Sequence, residues 1–277
     1  GRARDSGRVR DTSDIYVHGH HESVLRSHTW RTVENSAAHL LPHLRSDLRL
    51  LDVGCGPGTI TVDFAQRLPD GEVVGLDPVR SVLEQADELR SERGLENCRF
   101  EPGDVYRLPF EDDRFDIVHA HQVVQHLSAP VAALTEMRRV VAPNGIVAVR
   151  DADYAAMSWA PADPVLDGWN EIYHAITTAA NAEADAGRYL LGWAQQAGFT
   201  AITASSSTWT FATPSERAWW GALWADRVRY SSFADQALEG GFATRADLDA
   251  IAEAWHRWSA HDDGYFVVVH GEIIAVK

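Results

Sequence analysis

Three glycines within five positions follow an apolar run in the stretch LLDVGCGPGTITVDF. A simple turn needs one glycine, so Gly54, Gly56 and Gly58 indicate that a ligand approaches the backbone closely there. Asp77 ends the next apolar stretch, 25 residues after Asp52. A carboxylate at such a strand end can accept hydrogen bonds from two ribose hydroxyls. Together these features favour a cofactor that contains a ribose over a purely structural turn.

The spacing of the glycines helps to distinguish a dinucleotide from other cofactors that contain a ribose. The fingerprint of dinucleotide-binding proteins is GxGxxG, whereas this chain has GxGxG and Thr59 stands where the third fingerprint glycine would be. This departure weighs against NAD. An NAD-dependent oxidoreductase of similar fold is kept as one alternative. A non-enzymatic module that retains a nucleoside-binding fold for contact with a partner is the other.

Strands and helices alternate around these residues. Apolar strands are predicted at LRLLDV, VVGLD, CRFEPGD, RFDIVHAHQVV and GIVAVRD, with helical spacing of apolar residues between them. This alternation predicts an α/β fold with a doubly wound, mostly parallel sheet and helices on both faces. In such sheets ligands bind beyond the carboxyl ends of the strands, which is where the glycines lie.

The alternation ends after Asp151. We expect helix and loop over residues 152–183, a helix at GRYLLGWAQQAGF, a strand at AITASSSTWTFA and mostly helix over 214–260. The closing YFVVVHGEIIAVK reads as two apolar runs or one bulged strand. The prediction is therefore one α/β domain over residues 45–277, with a helical substrate-cover insertion at about 155–183 and 214–260.

The tryptophans are concentrated in this second part. Nine of the ten follow the fifth predicted strand. We expect most of them in the core of the helical cover and some in a substrate pocket, because ligand sites are mostly apolar. Trp219 and Trp220 are adjacent on one predicted helix, so their rings should not share a face. One of the two is therefore expected to face a different partner, such as substrate.

Composition narrows the class of partner. The formal net charge of −15 disfavours binding to nucleic acid and to anionic membranes. Cys55 and Cys98 form no CxxC pair, which fits a reduced, cytoplasmic location. No stretch reaches the roughly 18 to 20 apolar residues of a membrane span. A small-molecule substrate remains the favoured partner, and the sequence predicts no particular oligomeric state.

Four motifs in order resemble the class I S-adenosylmethionine-dependent methyltransferases. They are LLDVGCGPGT, VVGLD, the GD at positions 103 and 104, and FDIVHAHQVVQHL. The resemblance covers about residues 45 to 151 and is closest to the small-molecule methyltransferases of the ubiquinone and menaquinone biosynthesis type. The segment YVHGHHESVLRSHTWRTVENSA also resembles the lead-in of bacterial members. The resemblance implies S-adenosylmethionine as cofactor, S-adenosylhomocysteine as product and a small, aromatic or apolar methyl acceptor.

The resemblance also assigns roles to residues by position. The turn with Asp52 would hold the methionine end and the sugar, Asp77 the ribose, and Asp104 the adenine amino group. Backbone oxygens at the end of the fourth strand would contact the cofactor's ammonium group. The matching positions are Asp52, Gly54, Cys55, Gly56, Gly58, Asp77, Pro78, Val79, Gly103, Asp104, Val105, Ala120, His121 and Gln122.

The N-terminal segment, residues 1–44, is predicted to be a helical lid, with helix from Tyr16 to Leu44. Tyr16 and His20 would then touch the cofactor, and Arg31 would pair with its carboxylate because a guanidinium forks onto that group. A solvated surface position for Arg31 is the equally weighted alternative. Four of the 13 histidines fall within eleven residues here, yet without an accompanying Cys or carboxylate cluster we predict no metal site.

Three residues near the fourth and fifth strands could act as a general base, namely His121, His126 and Asp153. Methyl transfer needs a base only if the acceptor has a proton that must leave. His121 is the candidate we favour, whereas His126 is expected to cap or pack against the following helix.

Overall fold

The computed structural model describes residues 29–277. Tyr16, His20 and the histidines from His18 to His28 lie outside the described residues, so the predictions made for them stay predictions. Among residues 29–277 no helix is both long enough and apolar enough to cross a membrane.

The described chain forms one seven-stranded sheet in the order β3-β2-β1-β4-β5-β7-β6. Its strands are β1 (Arg49–Val53), β2 (Glu72–Asp77), β3 (Cys98–Pro102), β4 (Phe115–His121), β5 (Val141–Ala160), β6 (Ala201–Phe211) and β7 (Tyr265–Val276). Strands β1 to β5 pair in parallel, while β7 is antiparallel to both of its neighbours. The predicted doubly wound, mostly parallel sheet is confirmed.

The helices of the described residues flank this sheet. They are α1 (Val33–Ser36), α2 (Thr59–Arg67), α3 (Arg80–Glu92), α4 (Pro130–Val140), α5 (Pro164–Ala179), α6 (Ala186–Gln196), α7 (Pro214–Tyr230), α8 (Ser232–Glu239) and α9 (Arg245–Ala260). Short 3₁₀ helices span Ala38–His43 and Val124–His126. The strand order reverses direction between β1 and β4, so a crevice opens beyond the carboxyl ends of these two strands.

The continuous helix predicted up to Leu44 is wrong for the described residues. Helix α1 has only four residues and begins at a capping box in which Thr32 and Asn35 bond each other's backbone. Ala37, at φ −142°, breaks the helix before the 3₁₀ turn, which contains Pro42. Val33 and Leu40 are fully buried in the core beneath the sheet. The lid assignment for residues 1–44 stays a prediction.

The fifth strand is much longer than predicted. The sequence predicts an end at Asp151, but β5 continues to Ala160 and pairs with β7 over most of its length. The register shifts between Asp153 and Ser158, which marks a bulge. An Ala-rich segment favours helix in isolation, and pairing with β7 overrides that preference.

The aromatic residues form a core of their own over this extension. Helices α5, α7, α8 and α9 pack there around the fully buried Trp169, Trp224 and Trp255. Trp169 meets Trp224 at 4.7 Å and Trp255 at 5.1 Å between ring centroids, both edge to face. The expectation that most tryptophans build the core of the helical cover is therefore confirmed.

Candidate active site

The glycine-rich turn links β1 to α2 at the crevice. Gly54, Gly56 and Gly58 have φ values of +67°, +54° and +82°, a backbone region that side-chain-bearing residues rarely adopt. The N–H of Gly54 donates to the carbonyl of Leu76 at 2.7 Å, which ties the turn to β2. Glycine here satisfies a backbone requirement, and at Gly54 and Gly58 it also permits close packing, because a Cβ would lie 2.4 Å from Val123 and 2.8 Å from Phe100, respectively.

A cleft of about 500 Å³ opens over this turn, and we call it the main cleft. Its walls come from the turn, from the ends of β2 and β3, and from the residues that follow β4. Of the predicted positions it brings together Arg31, Asp52, Gly54, Cys55, Gly56, Asp77, Pro78, Val79, Gly103, Asp104, Val105, His121 and Gln122. Five segments that are distant in sequence therefore share one space.

The Asp77 carboxylate is held at the wall of the main cleft by two backbone groups. The N–H of Gly56 donates to its Oδ2 at 3.1 Å, and the N–H of Val79 donates to its Oδ1 at 3.0 Å. One side chain thus fixes both the glycine-rich turn and the start of α3. A carboxylate oxygen accepts more than one hydrogen bond, so this one retains acceptor capacity toward the cleft.

Asp104 follows β3 on the same side of the sheet. Its Oδ1 accepts from the N–H of Tyr106 at 2.9 Å, which fixes the side chain in a local turn. Gly103 precedes it, and a Cβ built there would lie 2.6 Å from Leu76 Cδ1. A larger residue at this position would therefore have to displace the Leu76 side chain of β2. Asp77 and Asp104 supply two carboxylates to one cleft.

Asp52 has a structural role that the sequence did not predict. It is 3% exposed, and its Oδ2 accepts from Thr61 Oγ1 at 2.6 Å. Its Oδ1 lies 2.8 Å from His119 Nδ1, and His119 is fully buried. The carboxylate is thus engaged by the protein on both oxygens, which connects β1, α2 and β4 beneath the turn.

Gln122 directly follows β4 and has a left-handed conformation, at φ +50°. Its Oε1 accepts from Arg31 Nη2 at 2.6 Å, and its Nε2 lies 2.8 Å from His270 Nε2. Burial holds the pKa of His270 well below its usual value, so the ring is neutral and can accept from the amide at Nε2. This chain of contacts fixes Arg31 at the edge of the main cleft.

His121 reaches the main cleft but is a weak base. It is 5% exposed, and neither ring nitrogen has a hydrogen-bond partner among the described residues. Burial is the largest cause that moves its pKa well below the usual value, and the charge of Arg31 acts in the same direction. The ring is therefore neutral at pH 7, and a low pKa weakens its capacity to take a proton.

The other two candidate bases differ from expectation. Arg188 donates to both carboxylate oxygens of Asp153 at 2.6 Å, so Asp153 is committed to an ion pair and does not line the main cleft. His126 does line it, although we expected it to pack on the following helix. Burial lowers the pKa of His126 to about 3, with smaller contributions from Arg31 and Arg227.

A second space adjoins the main cleft, and we call it the aromatic pocket. Its aromatic wall consists of Trp30, Tyr154, Trp209, Trp219, Trp220 and Trp224. The two arginines of its lining are Arg31 and Arg227. Its open volume is about 20 Å³, space for about one water molecule. The two spaces share Arg31 and Gln122, so a ligand bound in one would lie next to a ligand bound in the other.

Trp219 and Trp220 both line the aromatic pocket, so the expectation that they face different partners is wrong. Their ring centroids are 6.0 Å apart, and both rings contact Phe211 of β6. Neighbouring positions on a helix diverge at the backbone, but an indole is long enough to reach back toward a common side.

Some site residues were missed, and two predicted residues do not line the main cleft. Ala120, which is fully buried, and Gly58 are both absent from its lining. Pro57, Thr59, Tyr106, Val123 and Leu127 do line it. Four of them lie next to a predicted position in the sequence, whereas Leu127 lies five residues after Gln122.

Both the sequence and the fold of this chain have known relatives. A family model described as "Methyltransferase domain" matches residues 44–202. The chain is 38% identical over 278 residues to an uncharacterized methyltransferase of Schizosaccharomyces pombe, covering 95% of this chain and 96% of that protein. It is 35% identical over 123 residues to the uncharacterized methyltransferase YcgJ of Bacillus subtilis, covering 44% of this chain and 46% of that protein. The crystal structure of YcgJ superposes with a TM-score of 0.53 at 21% identity, over 93% of this chain and 99% of that one, which shows a shared fold.

Proposed function

Because the chain belongs to the methyltransferase domain family, we propose that it transfers a methyl group from S-adenosylmethionine to a small acceptor that is aromatic or apolar. The product of the cofactor would be S-adenosylhomocysteine. The observation that carries this proposal is the pair of carboxylates, Asp77 and Asp104, on the wall of one cleft above a glycine-rich turn.

The residues present fit this cofactor. The ribose hydroxyls and the adenine amino group are hydrogen-bond donors, and carboxylates are the acceptors that match them. Asp77 is held in place by two backbone N–H groups and keeps capacity for the ribose. Asp104 would accept from the adenine amino group, with Val79 and Val105 as apolar walls on either side of the ring. Arg31, at the edge of the cleft, would pair with the cofactor's carboxylate.

When bound, the cofactor supplies a methyl group on a positively charged sulfur, and displacement in line leaves a neutral thioether. The protein's contribution is mainly positioning, since orienting two reactants removes much of the entropic barrier. The glycine-rich turn lets the ligand approach the backbone, and Gln122 fixes Arg31 between the main cleft and the aromatic pocket. His121 is the candidate to take a proton from an acceptor that must lose one.

The acceptor would enter the aromatic pocket, since this space shares Arg31 and Gln122 with the main cleft. Its six aromatic side chains favour a flat, apolar molecule, because aromatic rings gain from stacked and edge-to-face contacts. The open volume is smaller than a ring, so a side chain at the wall must move for the acceptor to bind. Trp30, which is 36% exposed, is the least buried of the aromatic wall residues, so its movement would expose the least apolar surface.

Two measurements test the proposal. Calorimetry should show binding of S-adenosylmethionine and S-adenosylhomocysteine and no binding of NAD. Incubation with methyl-labelled S-adenosylmethionine and a panel of aromatic metabolites should transfer label to at least one of them. NAD binding without S-adenosylmethionine binding would support the oxidoreductase instead. Cofactor binding with no transfer to any acceptor would support the non-enzymatic module.

A further inference from the structure

One face of helix α7 builds the deep wall of the aromatic pocket. Trp220, Trp224 and Arg227 follow one another at spacings of four and three residues, which places them on one side of a helix. All three line the pocket and are 5% exposed or less. The Arg227 guanidinium carbon lies 4.6 Å from the centre of the Trp224 ring. A charged group thus sits among indoles on the face where a substrate would bind.

The charged side chains in the described lining of the aromatic pocket are positive, whereas the protein as a whole is negative. The chain as a whole has a formal net charge of −15. Among the described residues, the lining of the aromatic pocket contains the two arginines and no Asp or Glu. Arg31 closes the end nearest the main cleft, with its guanidinium carbon 5.7 Å from the centre of the Trp209 ring. The three aspartates of the described site, Asp52, Asp77 and Asp104, line the main cleft instead.

Both guanidinium charges act on the space between them. Burial is the largest cause that raises the pKa of Tyr154, and a hydrogen bond with Tyr173 and then the charges of Arg227 and Arg31 act in the opposite direction. The same two arginines add to the burial that lowers the pKa of His126. Two positive charges at the wall of one pocket favour an anion there over a cation.

Three kinds of aromatic acceptor can be compared on this basis. A cationic acceptor would gain from the indole faces but would be repelled by two guanidinium groups. A neutral acceptor would gain only the apolar contacts. An acceptor with a carboxylate would gain those contacts and a charge-assisted, forked pair with a guanidinium, in a site with little competing water.

We infer that the acceptor is an aromatic carboxylate whose ring lies among the indoles of the aromatic pocket and whose carboxylate binds Arg227. The inference rests on the proposed function and adds the acceptor's charge and orientation. With the carboxylate on α7, the other end of the molecule points to Arg31 and Gln122, the residues shared with the main cleft. The methylated atom would therefore be remote from the carboxylate.

The test uses binding and not turnover. Protein saturated with S-adenosylhomocysteine is titrated by calorimetry with benzoate and 1-naphthoate, with their neutral amides, and with benzylamine and 1-naphthylmethylamine. A hydrogen-bonded charged pair predicts that a carboxylate binds about 10- to 150-fold more tightly than its amide. The amines should bind more weakly than the amides.

Variants on α7 assign the effect to one residue. Arg227→Gln should remove the preference for the carboxylate, with the affinities of the amides and of S-adenosylhomocysteine within about two-fold of wild type. Arg227→Lys should keep part of the preference, since it retains the charge and loses the fork. Arg229→Gln is the matched control, because Arg229 pairs with Asp249 and Glu253 away from the pocket. It should leave every affinity unchanged.

Three results would overturn the inference. The first is that each carboxylate of the panel binds wild-type protein no more tightly than the corresponding amide does, which includes the case in which neither binds. Another is an amine that binds most tightly. The third is an Arg227→Gln protein that loses carboxylate and amide binding equally. If Arg227→Gln does not fold, the wild-type ranking and Arg227→Lys still decide. Failure of the wild type to bind S-adenosylhomocysteine would instead count against the proposed function.

Discussion

Replacing Asp77 with asparagine should weaken cofactor binding and slightly destabilise the fold. The carboxylate accepts from Gly56 N–H and Val79 N–H on separate oxygens. Asparagine has one acceptor oxygen, so its NH₂ group must face one of these donors. The loss of one backbone contact should cost about 1 kcal/mol, the lower end of the range for an unsatisfied donor because Asp77 is only half-buried. That corresponds to a fall of about 2–4 °C in melting temperature.

The effect of Asp77→Asn on binding should be larger. Hydrogen bonds to a charged group contribute about 1.5–3 kcal/mol, so S-adenosylhomocysteine should bind about 10- to 150-fold more weakly by calorimetry. Asp116→Asn is the control for a carboxylate outside the cleft, because Asp116 accepts from the backbone N–H and the guanidinium of Arg49 near the opposite ends of the strands. It should lower the melting temperature without changing affinity. Unchanged affinity in Asp77→Asn would refute the assignment of Asp77 to the ribose.

Three further predictions follow from individual sites. Gly58→Ala should lower the free energy of unfolding, measured with urea, by about 1–3 kcal/mol more than Gly94→Ala does. Both glycines have a positive φ, but only at Gly58 would an added Cβ lie 2.8 Å from Phe100 and Ala86. Equal losses in the two variants would contradict this. His126 has a pKa of about 3 in the folded protein, below its unfolded value, so the protein loses stability as the pH drops below about 6.5. His126→Gln should therefore lose less stability than wild type between pH 7 and 5. An identical loss in the two proteins would exclude His126 as its source. If His121 is the base, its lowered pKa predicts a turnover number that stays constant between pH 6 and 8, whereas a rise centred near 6.5 would indicate an unperturbed histidine.

The sequence predicted the main cleft well because its residues are set by strand ends. Gly54 and Asp104 lie just after a short strand and Asp77 ends one, and parallel strands bring their carboxyl ends to one edge of the sheet. Their positions therefore follow from the order of the elements. The fold class and the membership of the methyltransferase family could be predicted from the same motifs.

The contacts between distant segments could not be predicted in this way. Gln122 bonds Arg31 from the start of the chain and His270 from its last strand, and no sequence periodicity links these positions. Asp52 was assigned to the cofactor, but its pairing with His119 depends on the register between β1 and β4.

The aromatic pocket shows the same limit. The tryptophans were visible in the sequence, and their concentration correctly indicated a helical cover. Which of them share a cavity with Arg227 depends on how α7 lies across β6 and on the extension of β5 beyond Asp151. That extension arises from pairing with β7, which local preference for helix did not reveal.

A crystal structure of the protein with S-adenosylhomocysteine would test the central claim most directly. The account predicts the nucleoside in the main cleft, with its ribose on Asp77 and its adenine amino group on Asp104. The homocysteine portion should lie over the glycine-rich turn, with its carboxylate toward Arg31. A nucleoside bound elsewhere, or one that leaves both carboxylates without contact, would contradict the account.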